Sequence, residues 1–217
     1  MQKRKVGIFG GTFDPIHNGH LQAALEVQQQ LQLDEVRWVP CHIPPHKQLP
    51  QASATQRLTM IQLAIAEQAD FIADDCELDR REPSYTIDTL KMLHAQHKDD
   101  ITFYLFIGSD AFNQIHQWSQ WQSLLDYAHL VIINRAGHFL KMQDQAMQSW
   151  LAQHLCSSLK QPITQTKNAI FQLSVTAAEI SSSNIRQRLA QNSSIDFLVP
   201  TSVMSYIRAH NLYTAYP

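Results

Sequence analysis

Short apolar blocks alternate along this chain with longer stretches in which apolar residues recur every third or fourth position. Val6-Gly7-Ile8-Phe9 is the first block, and it runs into Gly10-Gly11, which predicts a buried strand ending in a tight loop. After Asn18, a side chain suited to a helix N-cap, Leu21, Ala24, Leu25 and Leu31 return at helical spacing. The alternation then repeats. Val36-Arg37-Trp38-Val39 reads as a strand, residues 40–50 as a proline-containing loop, and Ser53 as the cap of a helix in which Leu58, Ile61, Ala64 and Ile65 share a face. Phe71-Ile72-Ala73 opens another extended segment, and a helix is predicted from about Ser84 to Gln96. Residues 101–107 are apolar almost throughout, as expected of a central strand covered on both faces. Leu130-Val131-Ile132-Ile133 and residues 171–175 read as further strands, and the last helical pattern carries Val203, Ile207 and Leu212. Strands alternating with helices predict an α/β fold, an open, mostly parallel sheet with helices on both faces and its ligand at the carboxyl ends of the strands. No internal repeat or linker interrupts the pattern, so residues 1–217 are expected to form a single domain.

Bulk composition narrows the function by exclusion. A formal net charge of -2 and a pI near 6.6 give no bulk attraction to nucleic acid or an anionic membrane. No run of about eighteen apolar residues is present, and Met1-Gln2-Lys3-Arg4-Lys5 leads into only a short apolar stretch, so a cytoplasmic protein is expected. Cys41, Cys76 and Cys156 are far apart and make no CxxC pair, which predicts buried free thiols and no metal site. The many glutamines are spread over the periodic segments, where they read as solvated helix surface.

Glycine changes the picture. Only six are present, and four of them, Gly7, Gly10, Gly11 and Gly19, fall in the first nineteen positions. Neither the dinucleotide fingerprint nor the P-loop pattern occurs. The string from Gly10 to His20 is instead Gly-Gly-Thr-Phe-Asp-Pro-Ile-His-Asn-Gly-His, a loop entering a helix with two histidines three residues apart. Glycines let a ligand approach the backbone, and a helix N-terminus offers unpaired N–H groups, so the segment suits an anion such as phosphate. His17 and His20 can face the same side and donate hydrogen bonds to it, more strongly if charged. Near the other end, Ile180-Ser181-Ser182-Ser183-Asn184-Ile185-Arg186-Gln187-Arg188 opens another helix, with Arg186 and Arg188 placed against the helix dipole as if a bound anion offset it.

Together these strings resemble the (H/T)xGH and ISS(S/T)xxR signatures of a nucleotidyltransferase superfamily with a Rossmann-like fold. The resemblance implies His17, His20 and Arg186 as the catalytic groups on the triphosphate, with Gly10, Gly11, Thr12, Phe13, Gly19, Gly108, Asp110, Ile180, Ser182 and Ser183 binding ATP. It also implies that the C-terminal part from about residue 181 completes the ATP site, and that Mg2+ arrives with ATP. Further segments are similar to bacterial nicotinate mononucleotide adenylyltransferases: Pro44-Pro45-His46-Lys47, the run from Pro83 to Leu90, Ile107-Gly108-Ser109-Asp110, Trp118 with Trp121, and Asn134-Arg135-Ala136-Gly137. That likeness implies His46, Lys47, Tyr85, Thr86, Trp118 and Arg135 as the nicotinate mononucleotide groups, with Trp118 stacking on the pyridine ring and the amides at Tyr85 and Thr86 receiving its carboxylate. Ala136 stands where that family usually has proline, which loosens the loop around Arg135. The implied reaction is transfer of AMP from ATP to nicotinate mononucleotide. The same chemistry on nicotinamide mononucleotide or phosphopantetheine, or a non-catalytic nucleotide-binding regulator, are the rival readings.

Overall fold

The computed structural model describes residues 3–44, 49–80, 83–97, 100–135, 140, 145–156, 168–176 and 180–214. Six parallel strands, β1 (Arg4–Gly11), β2 (Glu35–Pro40), β3 (Phe71–Ala73), β4 (Ile101–Gly108), β5 (His129–Arg135) and β6 (Ile170–Val175), form one sheet in the order β3-β2-β1-β4-β5-β6. The helices are α1 (Asn18–Leu31), α2 (Ala54–Ile65), α3 (Thr86–His97), α4 (Ser109–Phe112), α5 (Gln145–His154), α6 (Ser182–Ala190) and α7 (Thr201–Ala209), with 3-10 turns at Ile115–Gln117 and Trp121–Asp126. No described helix is long and apolar enough to cross a membrane.

The two faces of the sheet follow from the two-residue period of a strand. On β4, Phe103, Leu105 and Ile107 point into one core with Val6 and Ile8 of β1, Leu130 and Ile132 of β5, and the buried faces of α3 and α5. Tyr104 and Phe106 point into the other, with Phe9, Trp38, Val131, Ile133 and the buried faces of α1, α2 and α7. Gly7 belongs to this second face, and a Cβ there would lie 2.7 Å from Phe106 Cζ. Its missing side chain is thus a packing requirement, as its place inside the first strand suggests.

Strand order creates the place for a ligand. The chain leaves β1 toward β2 and β3 on one side, then returns to lay β4 on the other side of β1. The connections after β1 and β4 therefore diverge to opposite sides, which opens a crevice at their carboxyl ends. Two local expectations change. The cap of α1 is His17 and not Asn18, which is already helical. The three cysteines are half-buried, not fully buried as expected.

Candidate active site

β1 delivers the chain through Thr12, Phe13 and a cis Asp14-Pro15 bond to His17, whose extended backbone starts α1. The two histidines cap each other: His17 Nδ1 accepts from the His20 backbone N–H at 3.2 Å, and His20 Nδ1 accepts from the His17 N–H at 3.3 Å. Their rings stack with centroids 3.6 Å apart and planes 17° from parallel. An accepting Nδ1 carries no proton, so the proton of each ring sits on Nε2. Each ring thus carries its proton on Nε2 at a helix N-terminus, with His17 buried at 1% exposure. Gly19 is buried within the same turn.

α6 approaches this turn from the other end of the chain. Ser181 is its cap, accepting from Asn184 N–H at 3.2 Å, and Ser182 Oγ donates to Pro15 O at 2.8 Å, tying α6 to the loop after β1. Arg186 Nη1 donates to Asp14 O at 2.7 Å and Nη2 to Ser183 Oγ at 3.3 Å, while the side chain stays 27% exposed. Arg188 does something else. It lies in the last turn of α6 and donates to Ser194 O at 2.7 Å, where a cation is favoured by the dipole, so no anion is needed to explain it. Ile180 is half-buried against the core.

The crevice itself is a cavity of about 340 Å3 between the ends of β1 and β4, α3 and the 3-10 turn before Trp118. Gly10, Gly11, Thr12 and Gly108 supply backbone to its wall, and Tyr85, Thr86 and Trp118 line it with side chains. Space around Gly10 is open where a Cβ would stand. Asp110 is exposed, and its carboxylate folds back so closely over Gly108 that a Cβ there would meet Oδ1 at 2.6 Å. Tyr85 O accepts from the Asp88 and Thr89 N–H groups, which puts Tyr85 at the head of α3, where leading amides have no partner in the helix. Phe9 joins the two half-sites: it lines the cavity, and its ring lies 6.0 Å from that of His20. Phe13 is not part of the cavity wall. Its ring is buried at 5.2 Å from His20 and 5.6 Å from Trp38, so it backs the histidine pair from inside the core. Trp121 likewise packs edge-on against Trp150. His46, Lys47 and Gly137 lie outside the described residues, as does the side chain of Arg135, whose backbone ends β5.

Four groups in and around the site escape a sequence reading. Asp14, within the glycine string, is buried and accepts from Gln51 N–H, Ala52 N–H and Tyr213 Oη–H. Arg57 is fully buried and donates to the carbonyls of Thr12 and Cys41 at 2.7 Å and of His42 and Ala52 at 3.3 Å, clamping both ligand-edge loops. The signal for Arg57 was a cation at an apolar position, four residues before Ile61 on the buried face of α2. Glu77 lines the cavity and accepts from Thr89 Oγ1 at 2.5 Å. Burial raises its pKa above the usual carboxylate value, against the lowering effect of hydrogen bonds from Thr89 and Ser84 and the charge of Arg80. No spacing in the sequence points to Glu77 or Tyr213.

Comparison with known proteins bears on this geometry. The family model described as cytidylyltransferase-like matches residues 8–188. A protein of Pseudomonas fluorescens named probable nicotinate-nucleotide adenylyltransferase is 41% identical over 214 residues, covering 98% of each chain. One of Serratia proteamaculans with the same name is 40% identical over 206 residues, covering 95% of this chain and 94% of the relative. Among solved structures, Plasmodium falciparum nicotinic acid mononucleotide adenylyltransferase complexed with NaAD superposes with a TM-score of 0.74 at 23% identity, over 97% of each chain. The fold is thus shared well beyond the range of close sequence similarity.

Proposed function

Because the chain belongs to the cytidylyltransferase-like family, among the nicotinate-nucleotide adenylyltransferases, we propose that its two half-sites divide the reaction between them. The enzyme transfers AMP from ATP to nicotinate mononucleotide, giving nicotinate adenine dinucleotide and pyrophosphate in NAD biosynthesis. The α1 N-terminus with His17, His20 and Arg186 takes the triphosphate, the C-terminal part from about residue 181 completing that half, and the cavity takes the acceptor. The observation that carries this division is the reciprocal histidine cap, which holds the stacked imidazoles at the α1 N-terminus, with the His20 ring 6.0 Å from Phe9 of the cavity wall.

The acceptor phosphate is already ionised, so in-line attack on the α-phosphorus needs no general base and no covalent enzyme intermediate. The protein's contribution is alignment and stabilisation of charge that builds on the departing pyrophosphate. Two neutral imidazole donors and one guanidinium suit that task, since they bind the leaving group without holding it as an all-cationic cluster would. Mg2+ enters as part of the MgATP substrate. Asp110, exposed in α4 just after β4, accepts from ribose hydroxyls in this reading.

In the cavity, Trp118 offers its face to the pyridine ring, and the leading amides of α3 favour a carboxylate over an amide at the ring's edge. His46, Lys47 and Arg135 complete the acceptor side in this reading. Three cysteines without a CxxC pair accord with a reducing, cytoplasmic setting. Pyrophosphate release from ATP, measured with each acceptor in turn, tests the assignment. Release is expected with nicotinate mononucleotide, much less with nicotinamide mononucleotide and none with phosphopantetheine; equal use of the first two would overturn the role given to the α3 amides.

A further inference from the structure

Four distant segments of the chain meet at Asp14. Its carboxylate accepts from the Gln51 N–H at 2.9 Å and the Ala52 N–H at 3.1 Å, both in the segment entering α2. Tyr213, beyond α7, donates its hydroxyl to Asp14 Oδ1 at 2.7 Å. Arg186 of α6 comes to the same residue, yet bonds to its main-chain carbonyl at 2.7 Å and stands 3.8 Å from Oδ2. That preference is unusual, because a guanidinium beside a carboxylate ordinarily closes into a short, often bidentate pair.

The donors already on Asp14 explain why it does not. The Ala52 amide and the phenol hold Oδ1 and the Gln51 amide holds Oδ2, which pins the carboxylate with Oδ2 3.8 Å from Arg186, in a site where Asp14 is 4% exposed. The phenol is a dependable donor: burial, reinforced by the Asp14 charge, pushes its pKa far above the usual tyrosine value. The backbone is bent to bring these groups together. Phe13, just before Asp14, has φ 50° and Tyr213 has φ 62°, both in the left-handed region that bulky side chains seldom occupy. Each is held there by burial, Phe13 at 3% and Tyr213 at 7% exposure. Backbone strain of this kind persists where the surroundings over-determine it, which is common at functional sites.

We propose that Tyr213 is a positioning residue for the ATP half-site: its hydroxyl occupies Asp14 so that Arg186 is held on the Asp14 carbonyl with its guanidinium turned to the triphosphate. Without that hydroxyl, Oδ1 keeps only the Ala52 amide, and the carboxylate is free to turn Oδ2 onto Arg186 and draw it away from ATP. The inference rests on Arg186 serving the triphosphate.

Kinetics of Tyr213→Phe, Arg186→Ala and the double variant test it, each variant checked by thermal melting. Tyr213→Phe should raise the KM for ATP about five- to tenfold, the size of one hydrogen bond's effect, leave the KM for nicotinate mononucleotide near wild type, and lower the melting temperature only slightly, as loss of one buried hydrogen bond does. In the Arg186→Ala background the same change should have no further effect, since the group it positions is gone. Losses that add independently, equal rises in both KM values, or no change in the KM for ATP would overturn the proposal. If Arg186→Ala alone leaves the use of ATP intact, what fails is the role given to Arg186. Tyr213→Ala removes the ring as well and should lower the melting temperature, so the Phe variant isolates the hydroxyl from the packing.

Discussion

At the scale of single residues, the histidine pair is where structure and chemistry are hardest to separate. His20 closes the cap of α1 through Nδ1 and, in the role proposed for it, gives its Nε2–H to the triphosphate, so His20→Ala removes both at once. Loss of a cap costs about 1 kcal/mol of stability. Loss of a donor aimed at developing charge is expected to lower kcat by about 100-fold or more. The two effects come apart by measurement: a melting temperature only slightly reduced, with turnover down by orders of magnitude, is the expected outcome, and near-normal turnover in the folded variant would remove His20 from the reaction. Trp118 makes the complementary case. It lines the cavity, whose wall includes neither His17 nor His20, so Trp118→Ala should raise the KM for nicotinate mononucleotide about tenfold, as loss of a stacked ring does, with the KM for ATP unchanged. Steady-state titration of each substrate at saturation of the other reads the difference. The motif residues were legible because glycines, histidines and serines at those spacings have few structural uses. Phe13 and Arg188 sit in the same strings and serve them differently, one as core backing and one as a helix C-terminal donor. A motif marks a place in the chain and does not say which of its side chains face the ligand.

At the scale of elements, the strands were legible because burial on both faces leaves an unbroken apolar run, and residues 101–107 and 130–133 lie within β4 and β5. The cap of α1 was not, since histidine is an uncommon cap and Asn18 beside it is a common one. β5 also carries a polar residue into the core. His129 is 2% exposed, packed against a tilted Tyr104 ring and edge-on to Phe171, and its Nδ1 accepts from the Ala169 N–H at 2.9 Å. Burial pushes its pKa down to about 4, from an ordinary value of 6.5. The unfolded chain therefore binds a proton between those values that the folded one refuses. Stability is whole above pH 6.5 and is lost as pH falls toward 4, by about 3 kcal/mol when the full difference is expressed. Urea unfolding across that window should show the loss, and His129→Asn, which keeps an acceptor for Ala169, should flatten it. An equally steep pH dependence in the variant would place the titrating group elsewhere.

At the scale of the whole molecule, the class of fold followed from alternating strands and helices, but the contacts that make the ligand edge rigid did not. Asp14 finds Gln51, Ala52, Tyr213 and Arg186, and Arg57 finds Thr12 and Cys41, partners brought together only when the sheet is assembled. No periodicity encodes such pairs, and the apolar stripe of α2 predicts the opposite of a buried cation at Arg57. Among these ties Arg57 joins the loop after β1, which leads to the histidine cap of α1, to the loop after β2, whose Cys41 and Pro44 line the cavity. Replacing it with methionine keeps an unbranched side chain of similar reach in the core and leaves buried carbonyls without donors, at a cost of about 2–4 kcal/mol. Lysine could not substitute, since one ammonium has three donors and no planar fork to span two loops. Arg57→Met should therefore lower the urea midpoint and weaken ATP and nicotinate mononucleotide together, unlike Trp118→Ala, which acts on one substrate. An unchanged urea midpoint, or a loss confined to one substrate, would mean that the two loops are held in register by something other than this clamp.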